Sequence, residues 1–356
     1  GRFLFSIRPA GSLEGSQSRL GKSGGMPSRR PFATALSGPL LVEIVEKIKI
    51  GISTCLLGEK VRYDGGHKLD RYITETLGQY FEYVPVCPEV EYGLPVPRES
   101  LRLVGDPASP RLMTARTGVD HTDGMKRFAE RKLDDLEHEE LCGFIFKSRS
   151  PSSGLKGVKV YAESGMPVRS AVGIFAAAFV GRNPLLPVID DGRLHDPGLR
   201  ETFIDAVSVY GRWQGFLKKG GAAKDLVALH TDLKFLVLAH SPKHYSMLGR
   251  IVAKARKPEE LDAYGRLLME GLRLQASPSK NTNVLLHTLG YFKKLLTRDE
   301  KEELLEIIGR YRKGYVPLVV PITLINHYVR KYGEPYLRRQ FYFNPHPAEL
   351  MLRNHV

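Results

Sequence analysis

From Ile48 to Ser53 the chain reads IKIGIS, with Ile48, Ile50 and Ile52 in alternation, the period-two pattern of a buried strand. Two more short apolar runs, YVPVC ending its strand at Val86 and GFIF over Gly143–Phe146, predict a second and a third strand. Between them, 67–80 and the charged, Leu-spaced 120–141 have helical spacing, and VRSAVGIFAAAFV at 168–180 reads as a buried helix because it is almost wholly small and apolar. Strands alternating with helices predict an α/β domain over 47–182, Rossmann-like and layered, with a largely parallel sheet. A Pro/Gly-punctuated connector follows at 183–200, after which strand signals fade. Helical candidates at 201–218, 222–239, 243–256, 259–274, 282–297, 299–313 and 322–332 predict an all-α domain over 201–356.

Composition narrows this picture. The chain has 356 residues, 42% hydrophobic and 26% charged, which suits two packed domains and excludes a disordered chain or a disulfide-dependent mini-protein. Its net charge of +14 is unevenly spread. Residues 1–34 carry six basic groups against Glu14, and read as a disordered basic leader outside the fold, either native or a translated upstream stretch. Residues 35–210 are nearly balanced, whereas 211–356 hold 25 basic and 13 acidic groups, a field suited to a polyanion. Three cysteines are too few for a disulfide framework and predict a reducing, cytoplasmic setting. No apolar run approaches the length of a membrane span, so no membrane partner is expected.

Each predicted strand of the α/β half ends in an unusual polar loop: STCLLGEKVRYDGG with Cys55, CPEVEYGLPVPRES with Cys87, and KSRSPSSG with Ser150, Ser152 and Ser153. The carboxyl ends of parallel strands share one edge, so these loops are expected to line one pocket. The alternative is that both thiols are simply core residues, since free cysteine is among the most buried residue types. The serine turn could instead present backbone N–H groups to an anion or sulfur.

CLLGEKVRYDG, VPVCPEVEYGLPVPR and FKSRSPSSG resemble the three signature segments of the thiouracil desulfurase family. DLKFLVLAHS, NVLLHTLGYFKKLL, YRKGYVPLVVPITLINHYVRKY and PHPAELMLRNHV resemble the helical domain of unknown function often fused to it, a pairing similar to that of bacterial tRNA 4-thiouridine desulfidases. The resemblance implies a [4Fe–4S] cluster with one open iron, held by Cys55, Cys87 and the residue at position 153, and hence iron–sulfur assembly machinery as a partner. It implies a hydrolytic desulfidase in which the open iron takes the sulfur of 4-thiouridine and water replaces it. Glu89 is then the expected base, and Ser150 and, less directly, Ser152 are expected to orient water or sulfur.

The chain departs from the family pattern where it matters: Ser153 stands at the third cysteine position. That leaves three readings open, a natural loss, an inactivating substitution or a tolerated serine ligand. Cys142 lies 11 residues earlier and is expected at the opposite end of the third strand, in a structural role. Asp64 is expected to fix Arg62. Arg98 and Arg149 near the loops, with Lys293, Lys294, Arg312 and Lys313 in the helical half, are the candidate RNA-binding residues. His230, His240, His244 and His327 form no ligand motif. The alternatives to a tRNA-directed enzyme are a desulfurase of free thiolated pyrimidine bases or nucleosides, a sulfide-transfer or cluster-dependent partner protein, and a catalytically lapsed RNA-binding homologue.

Overall fold

The alternating isoleucines form the central strand β1 (Ile48–Ser53), with Ile50 and Ile52 fully buried. The computed structural model describes residues 47–162, 164–254, 258–347 and 350–355, so the expected basic leader at 1–34 lies outside the described residues. β1 is flanked by β2 (Phe81–Val86) on one side, and later by β5 (Gly143–Phe146) on the other. Between β2 and β5 come α1 (Pro88–Glu91), β3 (Leu101–Val104), β4 (Arg111–Thr114) and α2 (Thr122–Glu137). After β5 come β6 (Val158–Tyr161), β7 (Pro167–Ala171), α3 (Ile174–Arg182), β8 (Val188–Asp190) and α4 (Asp191–Leu194). The first sheet has the order β2-β1-β5-β8 and is parallel throughout. A second, mixed sheet has the order β4-β3-β6-β7.

The expected α/β region is thus present, but its periodicity hid some of its parts. Residues 72–79 form short π and 3-10 turns, not a full α-helix over 67–80. The apolar run at 168–180 divides into the end of β7 and the helix α3, with Gly173 capping the helix between them. A short apolar run has no period that separates strand from helix, and a glycine in it marks the change of direction. The strands of the second sheet, four or five residues long and with charged residues among them, are not among the elements the sequence predicts.

Alternation along β5 builds two cores from one strand. Phe144 and Phe146 face a core made with β3, β4, β6, α2 and α3, where their rings stack with centroids 4.1 Å apart. Ile145 faces the other way, with Ile50, Ile52 and Ile189. That second core is closed by Phe203, Ile204 and Val207 of α5 (Pro197–Lys218) and by Leu350 and Leu352 near the C-terminus.

Helices follow from there on: α6 (Ala223–His240), α7 (Pro242–Val252), α8 (Pro258–Leu272), α9 (Pro278–Leu289), α10 (Arg298–Arg312), α11 (Val319–Tyr332) and α12 (Pro335–Arg338). They match the expected run of helices closely, because starts are written in the sequence. Asp196, Ser241 and Ser277 each accept a backbone N–H as N-cap ahead of a Pro at the first helical position, and Thr297 with Glu300 forms a capping box on α10. α5 is common to both regions: its Ala206, Val209, Trp213 and Phe216 face the helical core, while its other apolar residues face the first sheet. Among the described residues, no helix is long and apolar enough to cross a membrane.

Candidate functional site

The carboxyl ends of the four parallel strands place the polar loops side by side. Cys55 sits in a 3-10 turn, Thr54–Leu57, directly after β1. Cys87 is the residue between β2 and α1, and its backbone N–H donates to Glu91 Oε1 at 2.7 Å. The serine loop follows β5, and Asp191 follows β8. Together they enclose a cavity of about 330 Å³ lined by Cys55, Cys87, Glu89, Arg98, Arg149, Ser150, Ser152 and Ser153, with Arg62, Tyr63, Lys68 and Lys147 also on its wall.

The serine loop is held in place by its own backbone. Gly154 N–H donates to Ser150 O at 2.8 Å, and Gly173 N–H donates to Gly154 O at 2.8 Å. Phe175 and Ala176, in the first turn of α3, donate to Ser152 O at 2.9 and 3.1 Å. This close fit needs glycine twice. A Cβ on Gly173 would lie 2.6 Å from the Ser152 carbonyl, and one on Gly154 would lie 2.4 Å from Val158 and 2.7 Å from Ser150 O. Arg149 turns the chain into the loop with φ of 60°.

Hydroxyls and charges form a connected network within the cavity. Ser152 Oγ donates to Glu89 Oε1 at 2.8 Å, and Ser150 Oγ lies 3.0 Å from Ser152 Oγ. Ser153 Oγ is 3.5 Å from Ser152 Oγ, and Ser153 N–H donates to Ser150 Oγ at 3.2 Å. Arg98 donates through both Nε and Nη2 to Glu89 Oε2, and through Nη1 to Val61 O at 3.1 Å. The side chains of this ion pair are largely withdrawn from water, which screens it little, and the bond from Arg98 to Val61 O joins the second loop to the first. Lys147 Nζ pairs with Asp191 Oδ2 at 2.7 Å, and Ser148 N–H donates to the other oxygen. Burial raises the Asp191 carboxyl, but Lys147 and Ser148 outweigh it and hold Asp191 below the usual carboxylate range. Arg62 bonds Asp64, as the sequence suggested.

Burial raises the Cys55 thiol to about 11 and also raises Cys87, so both are thiols at neutral pH when nothing is bound to them. Cys142 is raised to about 11 for the same reason. It precedes β5, with its N–H on Lys49 O, and it packs in the core beneath α5, away from the cavity.

The expected iron–sulfur centre is corrected by this donor set. Among the described residues, no group of three His, Cys, Asp or Glu side chains gathers in a way that could hold a metal ion. The cavity offers two thiols, Cys55 and Cys87, and its third corner is the Ser153 hydroxyl, a hard donor already beside Ser152. Cluster iron selects thiolate, so these residues do not fit a three-thiolate [4Fe–4S] site. The [4Fe–4S]-dependent desulfidase reaction, the metal-ligand roles of Cys55, Cys87 and Ser153, and iron–sulfur assembly machinery as a partner lose their basis with it.

The remaining RNA candidates lie elsewhere. Lys293 and Lys294 are exposed in the turn after α9, and Arg312 and Lys313 are exposed at the end of α10. Sequence reasoning did not single out Tyr63, Lys68, Lys147 or Asp191. Tyr63 and Lys147 lie inside the signature segments and Lys68 just after the first, a position that could have found all three, whereas Asp191 is remote from these segments in sequence and is brought in by its pairing with Lys147.

Comparison with known proteins adds the following. The family model described as 2-thiouracil desulfurase matches residues 50–191, and the one described as a protein of unknown function, DUF1722, matches residues 234–347. The chain is similar to the uncharacterized protein YbgA of Escherichia coli (strain K12), with 34% identity over 143 residues, 39% of this chain and 85% of that protein. Among solved structures it is similar to the [4Fe-4S]-dependent thiouracil desulfidase TudS (DUF523Vcz), with 31% sequence identity over 42% of this chain and 93% of the other, and a TM-score of 0.34.

Proposed function

The chain belongs to the family that joins a 2-thiouracil desulfurase domain to a DUF1722 domain, and from that premise we propose that it is a catalytically lapsed, RNA-binding member that takes a pyrimidine nucleotide, thiolated or not, into the strand-end cavity. One observation carries the reading: Ser153 fills the third corner with a hydroxyl tied into the Ser150–Ser152–Glu89 network. The pocket keeps its walls and its loops, and lacks the soft donor set on which the family's chemistry depends.

What remains suits recognition. A cavity of about 330 Å³ accommodates one pyrimidine ring with its sugar. Tyr63 is 43% exposed at the wall, with the Arg62 guanidinium 5.4 Å from its ring centroid, a surface on which a base can stack. Lys68 and Arg149 are exposed on the same wall and match a phosphate in charge. The serine hydroxyls supply donors and acceptors for the base edge. We assign residues 201–356, with the excess of basic groups, to gripping the surrounding RNA backbone, and we place the protein in the cytoplasm, where its three unpaired cysteines stay reduced.

The test uses the full chain, anaerobically purified, with RNA carrying 4-thiouridine and the same RNA unmodified. Expected are salt-sensitive binding of both RNAs, no conversion to uridine by mass spectrometry, and no stoichiometric iron or sulfide. Turnover of thiolated RNA overturns the reading. Failure to bind either RNA together with binding of free thiouracil favours a small-molecule pocket instead.

A further inference from the structure

A second cavity, of about 200 Å³, lies away from the strand-end loops, between α5, the last turn of α6, the first turn of α9 and the C-terminal segment. One face of α5 supplies it with Gly198, Glu201, Thr202 and Asp205, spaced three, one and three residues apart as helical neighbours must be. His240 ends α6, and Asn281 and Tyr311 close the opposite wall.

Its polar groups are buried and incompletely paired. Asp205 and His240 are each only 1% exposed. Asp205 Oδ2 lies 3.5 Å from His240 Nε2, and neither Asp205 Oδ1 nor His240 Nε2 has a hydrogen-bond partner. The other ring nitrogen of His240 faces Leu274 O at 2.7 Å. Glu201 is answered by Arg353 at 3.2 Å and His355 at 3.5 Å, and Arg353 also donates to Tyr342 O. Asn281 Nδ2 donates to Tyr311 Oη, which leaves the second lone pair of that oxygen to accept from a group in the cavity. Burial raises the Asp205 carboxyl, but His240 beside it and the charges of Arg353 and His346 outweigh burial and hold it below the usual carboxylate range, so a charged carboxylate is kept out of water here. Burial is the main reason that Glu201 is raised to about 7, with the charge of Asp205 adding to it and Arg353 opposing it.

Buried carboxylate oxygens without partners are rare in folded proteins and call for a donor. We propose that this cavity is a binding site for a small organic cation bearing N–H donors, an amine or amidine no larger than a single ring, held by Asp205 Oδ1 with His240 and Tyr311 as flanking partners. An anion would meet the charged Asp205 carboxylate. A metal ion would need three converging ligands, which the described residues do not provide. A single-ring body matches the volume, since cavities near 150 Å³ admit benzene.

Isothermal titration of the full chain with acetamidinium and benzamidinium tests this, with phenyltrimethylammonium as a cation of similar size and no N–H. Saturable one-to-one binding of an amidinium is expected, with phenyltrimethylammonium at least tenfold weaker. Asp205→Asn should weaken binding at least tenfold. Because loss of that carboxylate could unfold the chain, Thr202→Leu serves as a second variant that fills the cavity and leaves both carboxylates, with circular dichroism to confirm the fold. No saturable binding by either amidinium, equal binding of phenyltrimethylammonium, or unchanged affinity in a folded variant overturns the proposal.

Discussion

Ser152 donates its hydroxyl to Glu89 across 63 residues of sequence, at 2.8 Å, while Arg98 grips the opposite oxygen of the same carboxylate. This one carboxylate therefore holds the second and third loops to each other, and through Arg98 and Val61 O it reaches the first. Glu89, the expected catalytic base, is by its hydrogen bonds also a tie of the pocket.

Removing the tie should therefore cost stability before anything else. Arg98→Met leaves Glu89 buried without its counter-charge, and such a loss costs about 3–5 kcal/mol. Urea unfolding of the variant should show a lower midpoint, and an unchanged midpoint would mean that the pair is structurally idle.

Position 153 sets the donor chemistry. Ser153→Cys places a third soft donor beside Cys55 and Cys87 in the same cavity, so anaerobic reconstitution should raise bound iron and sulfide per chain by roughly tenfold or more over the parent, with selectivity for thiolate as the cause. Equal iron content in the two proteins would show that the hydroxyl at 153 is not what limits the site.

The loop geometry predicts intolerance at Gly173. An added methyl meets backbone at 2.6 Å, which cannot move without shifting the serine loop or α3, so Gly173→Ala should destabilise by about 1–3 kcal/mol and weaken RNA binding together. Denaturant titration and fluorescence anisotropy on the same preparation check both halves.

Glu201 gives a pH signature. Its folded value near 7 lies above that of an unfolded glutamate, so the folded state binds the proton more tightly. Its contribution is full below about pH 4.3 and is lost as the pH rises through about 7, so unfolding free energy should decline across that window. Glu201→Gln should flatten the decline, measured by urea unfolding at several pH values.

The basic helical half predicts a salt signature. Charge reversal at Lys293 with Lys294, or at Arg312 with Lys313, should weaken RNA binding and reduce the slope of log affinity against log salt by about 0.7–0.9 for each phosphate no longer neutralised. A slope unchanged by both double variants would place the RNA on another face.

The sequence by itself determined the elements whose signals are local. Alternating isoleucines made β1, Pro and Ser caps opened the helices of the second half, and Cys55, Cys87 and the serine loop were visible as strand-end polar segments whose resemblance named the family. It also displayed Ser153 in the place of a cysteine, without deciding what that meant. Tertiary structure decided the rest. It split 168–180 into strand and helix, paired four short strands into a second sheet, kept Cys142 beneath α5, and set Glu89, the expected base, against Arg98 and Ser152. It alone brought Asp205 against His240, because these groups meet only when α5 is buried between the first sheet and the helical core. Periodicity and capping act within one turn or one strand and can be read along the chain, whereas donor sets and buried charges depend on which distant residues packing forces together.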